Sequence, residues 1–337
     1  MQRRHPQRTA HHDPALRATL VSRTPLLYRA GADPNADRPA HLRAGSSLAW
    51  VDERLALIQD DASFVALVDP RSGLADAIAL PAGNEGARQF DDARGNKKFK
   101  LDLEACCAIP GPHGLRFLAL GSGSKKRRRR VVTVEAFGEA APRITVVDAD
   151  SLYVLLESTH DFAGSDLNIE GALALANTLR LFGRGNGEAR KGRVPLNATC
   201  DLSLPGLLDY LAAPGMAPLP APSAVVQYNL GRLGGLPLGF TDATLLGAVV
   251  LYTAAAENSM KASDDGDVSG SVCGVIPPTG DPRYAPITDA NGVLVRDKVE
   301  GVATVPNTSD RIFVVIDADD ATRPSELCEV RLDGAWS

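Results

Sequence analysis

The chain has 337 residues, 44% of them hydrophobic, and a net charge of −5 from 36 Lys and Arg against 41 Asp and Glu. That length can bury a sizeable core, and the near-balanced charge excludes a chain that is basic or acidic throughout. Five cysteines without a C-x-x-C spacing argue against a disulfide framework or a zinc site, and no apolar run is long enough for a membrane-spanning helix.

In chain order, residues 1–15 open with Met1-Gln2-Arg3-Arg4-His5-Pro6, which has charge but no apolar h-region. They read as a loose, flexible N-terminal arm rather than a secretory signal, and the expected location is cytoplasmic, with no membrane partner. Residues 16–337 read as a single all-β domain. Its first short β-rich runs are Ala18-Thr19-Leu20-Val21 and Leu26-Leu27-Tyr28.

A repeated phrase then begins. An oxygen-bearing residue opens an apolar run, and a second β-rich run follows after a small turn. The clearest copies are Leu103-Glu104-Ala105-Cys106-Cys107, Ile169-Glu170-Gly171-Ala172-Leu173 and Val299-Glu300-Gly301-Val302-Ala303. Two weaker copies are Ser46-Ser47-Leu48-Ala49-Trp50 and Thr241-Asp242-Ala243-Thr244-Leu245. The opening residues stand at 46, 104, 170, 241 and 300, in steps of 58, 66, 71 and 59 residues. A four-stranded propeller blade takes about 40–50 residues, so these units fit blades with enlarged loops.

The spacing predicts a five-bladed β-propeller. Six blades is the alternative, if strands within 142–157 or 222–236 form a separate sheet. After Glu300 only 37 residues remain, room for three strands. The missing fourth is expected from Ala18–Val21 or Leu26–Tyr28, an N-terminal strand that closes the ring and covers its edges.

Each blade's innermost strand borders the central channel. Ser46, Glu104, Glu170, Thr241 and Glu300 are therefore expected to form a ring of oxygen ligands at one mouth, with Asp242 as an alternative from the fourth blade. Crowded carboxylates need protons or a cation, and hard oxygen donors suit Ca2+, then Mg2+ or Mn2+. The loop joining strands two and three of the second blade carries Lys125-Lys126-Arg127-Arg128-Arg129-Arg130. The equivalent loop of the third blade runs from Arg184 through Asn186 to Arg190-Lys191-Gly192-Arg193. Both should reach the same mouth. Lys125, Arg130, Arg184, Asn186 and Arg190 are the candidate contacts for an anionic, phosphorylated small molecule, the alternatives being a solvated tip or a nucleic-acid patch. Asp60, His160 and Asp161 are the candidates for orienting an attacking water. The acidic stretch Ser263-Asp264-Asp265-Gly266-Asp267 lacks the distal glutamate of an EF-hand and reads as a flexible insertion.

The run Ser46-Ser47-Leu48, followed by Arg54-Leu55-Ala56-Leu57-Ile58-Gln59-Asp60-Asp61, resembles the first blade of the calcium-activated apyrases. Val299–Val302 and Val305-Pro306-Asn307-Thr308-Ser309-Asp310 resemble propeller segments of that group and of the esterase-like phytases. The resemblance implies five blades with serine or glutamate around an axial calcium. The two basic loops have no counterpart in it. The function expected is a calcium-dependent hydrolase of a phosphate ester, anhydride or phosphodiester. The alternatives are a non-catalytic binding module with a structural calcium and a basic face, and a metal-dependent esterase or lactonase.

Overall fold

In the computed structural model, which describes residues 6–112, 114–137, 139, 141–190, 192–258 and 266–337, each repeat opens a sheet whose first strand faces the centre of the molecule. These inner strands are Gly45–Val51, Leu103–Gly111, Ile169–Leu175, Leu236–Leu246 and Lys298–Thr304. Each packs on the next in that order and the last packs on the first. The fold is a five-bladed β-propeller.

The strands that would have made a sixth sheet are outer strands instead. Arg143–Asp148 is the fourth strand of blade two, and Ser223–Asn229 is the fourth of blade three. Blade five takes its fourth strand from Arg17–Pro25, which runs antiparallel to Glu326–Asp333 with Leu20 opposite Val330. Ala18 and Leu20 are buried with Val330 and Ile287, so the closing strand is held by side chains as well as by its ladder. The other candidate, Leu27–Tyr28, instead adds a short parallel strand to the outside of blade one.

The loose arm is corrected. Gln7–Thr9 pairs in parallel with the outer strand of blade three, and His11–His12 pairs with Arg283–Thr288 of blade four. An outer strand presents unpaired peptide groups, and the arm satisfies them. Ala10, between the two short strands, is buried beside Tyr228, Leu230 and Tyr284. Residues 1–5 lie outside the described residues, as does most of the acidic stretch that begins at Ser263.

Five apolar clusters fill the five interfaces between blades. Ile58 and Leu67 meet Phe117 and Val132, Leu120 meets Leu181, and Phe182 meets Phe240 and Tyr252. Leu251 meets Val299 and Val314, and Leu48 and Leu57 meet Ala303 and Val315. Each such side chain contributes about 1.5–3 kcal/mol of burial, so the ring is held mainly from within its wedges. Three short helices, Asp150–Ser158, His160–Ala163 and Leu204–Ala212, pack Tyr153, Phe162 and Leu207 onto the core shared by blades two and three. All five cysteines are buried thiols. Among the described residues no helix is long and apolar enough to cross a membrane.

Candidate functional site at the channel mouth

The repeated phrase marks a backbone event. In blades one to four the pairing of strands one and two skips one residue, respectively Ser46, Glu104, Glu170 and Thr241. In blade five Glu300 and Gly301 together face Val315. Each repeat therefore opens on a β-bulge, a device that re-aims a side chain out of the regular alternation.

Ser46, Glu104, Glu170 and Glu300 line one cavity at the channel mouth, about 540 Å³ including its open end. Thr241 does not line it. Its hydroxyl donates to Thr253 Oγ1 at 2.9 Å and is satisfied inside its own blade, which removes it from the expected ligand ring. Asp242 points deeper, accepting from Ser47 Oγ of blade one and the N–H of Val302 of blade five, both at 3.0 Å.

A second tier comes from the residues two before each bulge, Ala44, Asp102, Asn168, Gly239 and Lys298, of which all but Gly239 line the cavity. Across from four of them, at the ends of the second strands, stand Asp60, Ser122, Arg184 and Asp317. Glu257 adds a carboxylate from the second strand of blade four. Gly239 leaves the space that the Arg184 side chain occupies, since a Cβ there would lie 2.9 Å from Arg184 Cγ.

The result is a ring of alternating charge. Lys100 Nζ is 2.5 Å from Asp60 Oδ2 and 2.8 Å from Asp102 Oδ1. Asp102 also receives Arg128 NH1 at 2.9 Å and the hydroxyl of Ser122. On the opposite side Lys298 Nζ is 2.8 Å from Glu300 Oε1, and Arg184 lies 3.5 Å from Glu170 and donates to Glu257. Asn168 Nδ2 donates to Glu170 Oε1 at 2.5 Å. Glu104 differs. Among the described residues it has no hydrogen bond and no cation within 4 Å, yet oxygens of Asp60, Asp102 and Glu104 all lie within 4.8 Å of one another.

Proton affinities follow this arrangement. Burial pushes the Glu104 carboxyl well above the usual range, and the neighbouring charges of Asp60, Glu170 and Asp102 push it further. Burial also raises Glu300, to about 7, against the pull of Lys298. Asp317 is raised by burial and then by Asp319 and Asp60. Burial alone would weaken the Lys100 ammonium, but Asp102, Asp60 and Glu104 hold its pKa well above normal. Burial works against Asp102 too, yet Lys100 and Arg128 keep it below the ordinary value.

Of the other residues singled out from sequence, Asp60, Arg184 and Asn186 line the cavity. Arg130, Arg190, Lys125, His160 and Asp161 do not. Arg130 sits on the third strand of blade two and pairs with Asp148 at 3.1 Å, because the strand turns it outward. Arg190 pairs with Asp166 at 3.5 Å. Lys125 is exposed on the loop, where it precedes the turn Lys126–Arg128. His160 and Asp161 are exposed at the start of a short helix on the flank of blade three. The basic run is not a free patch. Arg127 stacks on Phe99, Arg128 turns inward to Asp102, and Arg129 pairs with Asp150 and Glu157. Lys100, Asp102, Arg128, Glu257, Lys298, Asp317 and Asp319 are the charged mouth residues that reading the sequence missed.

Sequence comparison places the chain in a family. It belongs to the family of unknown function DUF6929, whose model matches residues 41–332. The match spans all five bulges of the mouth, and no apyrase or phytase family is indicated. Among curated proteins no sequence matches. Among solved structures the chain is similar to Myxococcus xanthus glutaminyl cyclase, at 14% identity and a TM-score of 0.44, covering 98% of this chain and 100% of that one. It is also similar to a GH43 β-1,3-galactosidase, at 10% identity and a TM-score of 0.48, over 93% of this chain and 60% of that one. A third is the Bacillus subtilis arabinanase, at 10% identity and a TM-score of 0.38, over 86% and 93%. These likenesses carry no weight for the chemistry of this mouth.

Proposed function

We propose that the channel mouth is a metal-assisted hydrolytic site for a small anionic substrate, a phosphate ester or anhydride. The observation that carries this reading is the close approach of Asp60, Asp102 and Glu104, with carboxylate oxygens within 4.8 Å of one another. Carboxylates so close repel unless protons or cations sit among them. Lys100 and Arg128 supply two positive charges, Lys100 shared between Asp60 and Asp102 and Arg128 placed on Asp102, and neither lies within 4 Å of Glu104. Hard oxygen donors of this kind suit Ca2+, then Mg2+ or Mn2+.

Asp60, Asp102 and Glu104 would hold the ion. Arg184, Lys298 and Asn186 on the far wall would take the phosphoryl oxygens, arginine in its bidentate mode. A cation bound there supplies Lewis-acid polarisation of a phosphoryl oxygen and a more acidic bound water. Apart from Ala44 and Gly45, every lining residue is polar or charged. That lining favours a hydrophilic substrate over an apolar ester or lactone.

One observation favours the non-catalytic reading, in which the ion is structural. Each Lys and Arg of the mouth is already engaged with a carboxylate. The test is turnover of p-nitrophenyl phosphate, bis-p-nitrophenyl phosphate and ATP by metal-free protein, with and without added Ca2+, Mg2+ or Mn2+. The expected result is hydrolysis that requires the ion and is lost in Glu104→Gln. Ion-dependent melting without turnover would leave the structural ion. No response of either kind to any of the three ions would overturn the metal reading.

A further inference from the structure

We infer that Lys100 is a resident cation which a divalent ion must displace, and that its ammonium then moves into the acidic cleft beside the mouth, between blades one and five. This deepens the metal reading above and rests on it.

Two observations carry the inference. First, Lys100 Nζ contacts Asp60 Oδ2 and Asp102 Oδ1 at 2.5 and 2.8 Å, so it uses oxygens that an ion in this cluster would need. An ammonium and a divalent ion cannot occupy one set of lone pairs together. Exchange of a single charge for a double one also supplies the positive charge that Glu104 lacks. Second, Lys100 lines two cavities. The mouth is one. The other is an open cleft of about 620 Å³ that shares Asp60, Asp317 and Asp319 with it.

The cleft has a receiver for the ammonium. Arg43, its buried guanidinium, is already committed to Asp61 at 2.5 Å and Asp91 at 3.3 Å. Asp317 accepts the N–H groups of Ala44 and Ala318 through Oδ1, and among the described residues no cation lies within 4 Å of it. Asp60, Asp317 and Asp319 line both hollows, so the same carboxylates border the ammonium in either place. A four-carbon stem anchored in the wall between two acidic hollows has two places to put its head. The mouth then takes up a divalent ion only against competition from its own lysine, which sets a threshold ion concentration for filling the site.

The experiment is a calorimetric titration of metal-free protein with Ca2+. Lys100→Met and Lys100→Gln should bind about tenfold tighter or more than wild type, since a positive charge a few ångströms from the ion is removed. Asp317→Asn should weaken binding more in wild type than in the Lys100→Met background, because the receiver matters most while there is an ammonium to receive. Wild-type binding with no gain in either Lys100 variant overturns displacement and leaves the metal reading standing. Equal losses from Asp317→Asn in both backgrounds overturn the role of the cleft. Absence of Ca2+ binding in every variant overturns both readings. A measurement on the unmodified protein stands beside these, in case a variant fails to fold. Reductive methylation of Lys100, followed by mass spectrometry, should increase when Ca2+ is added, and an unchanged rate overturns displacement.

Discussion

Arg128 leaves its own loop to meet Asp102, with NH1 2.9 Å from Oδ2 and side-chain exposures of only 8% and 2%. Asp102 itself is held at φ 58°, a left-handed conformation uncommon outside glycine, at the end of the loop that carries Lys100. The pair thus ties the basic loop of blade two to the mouth. Removing Arg128 takes one charge partner from buried Asp102, which keeps Lys100 and the Ser122 hydroxyl, so the loss should approach but not exceed the roughly 3 kcal/mol of a buried charge left without any partner. Arg128→Met should therefore lower the urea midpoint clearly. Arg127→Ser, which loses only a stacking contact on Phe99, should cost under about 1 kcal/mol. Equal midpoints for the two variants would show that Arg128 is no more anchored than its neighbour.

That contrast explains how far the site was legible in the sequence. The bulge residues were legible because each opens an apolar run in the same frame, and the five-bladed ring follows from their spacing. The stretch Lys100-Leu101-Asp102-Leu103-Glu104 also alternates with period two, the pattern that puts alternate residues on one side of a strand. Extending the frame by four residues would have recovered Lys100 and Asp102, and the same step at Lys298-Val299-Glu300 recovers Lys298. Arg128 had no such signal. Which arginine of a six-residue basic run turns inward is decided by the single turn Lys126–Arg128, and no periodicity marks it. His160 and Asp161 were misplaced because helices stand between blades two and three, carrying those residues to the flank of the ring.

Asp242 gives a prediction with a sign. It accepts from Ser47 Oγ, the N–H of Val302 and the N–H of Ala243, joining blades four, one and five at the waist of the channel. Burial raises its pKa well above the ordinary value in spite of these donors. The folded chain therefore keeps a proton that the unfolded chain releases. The stability due to that proton is complete below the unfolded pKa and declines as pH rises toward the folded one, by up to about 1.4 kcal/mol per pH unit. Asp242→Asn has no such proton to lose. Its stability relative to wild type should therefore rise steadily between pH 4 and pH 8, as read from urea unfolding at each pH. Parallel curves across that range would refute a protonated Asp242.

Gly301 lies where blade five meets blade one. A Cβ there would stand 2.6 Å from Leu48 Cδ2 and 2.9 Å from the Ser47 backbone. Neither neighbour can retreat cheaply, since Leu48 is buried against Leu57 and Ala303 in the core of that interface. Gly301→Ala should cost about 1–3 kcal/mol through overpacking. Because the strain falls on the bulge that presents Glu300, it should also disturb the mouth. A variant with unchanged melting temperature would mean that the wedge between these blades is looser than its packing implies.

The N-terminal segment offers a graded test of closure. Gln7–Thr9 and His11–His12 add short parallel strands to the outsides of blades three and four, with Ala10 as their buried anchor. Arg17–Pro25 does more, pairing along the length of Glu326–Asp333 and bridging to Ile287 and Thr288 of blade four. Removing residues 1–12 should lower the melting temperature by a few degrees and leave a monodisperse protein, since about 1 kcal/mol shifts Tm by only about 2–4 °C in a chain of 150–250 residues and by less in a longer one. Removing residues 1–25 strips the fourth strand from blade five and exposes both a ladder edge and the Val330 side of its core. That protein should aggregate or elute as higher oligomers in size-exclusion chromatography. A synthetic peptide spanning residues 16–28, added during refolding, should restore the monomer by supplying the missing strand. If the longer deletion instead stays monomeric and melts cooperatively near wild type, the ring does not depend on its N-terminal strand for closure.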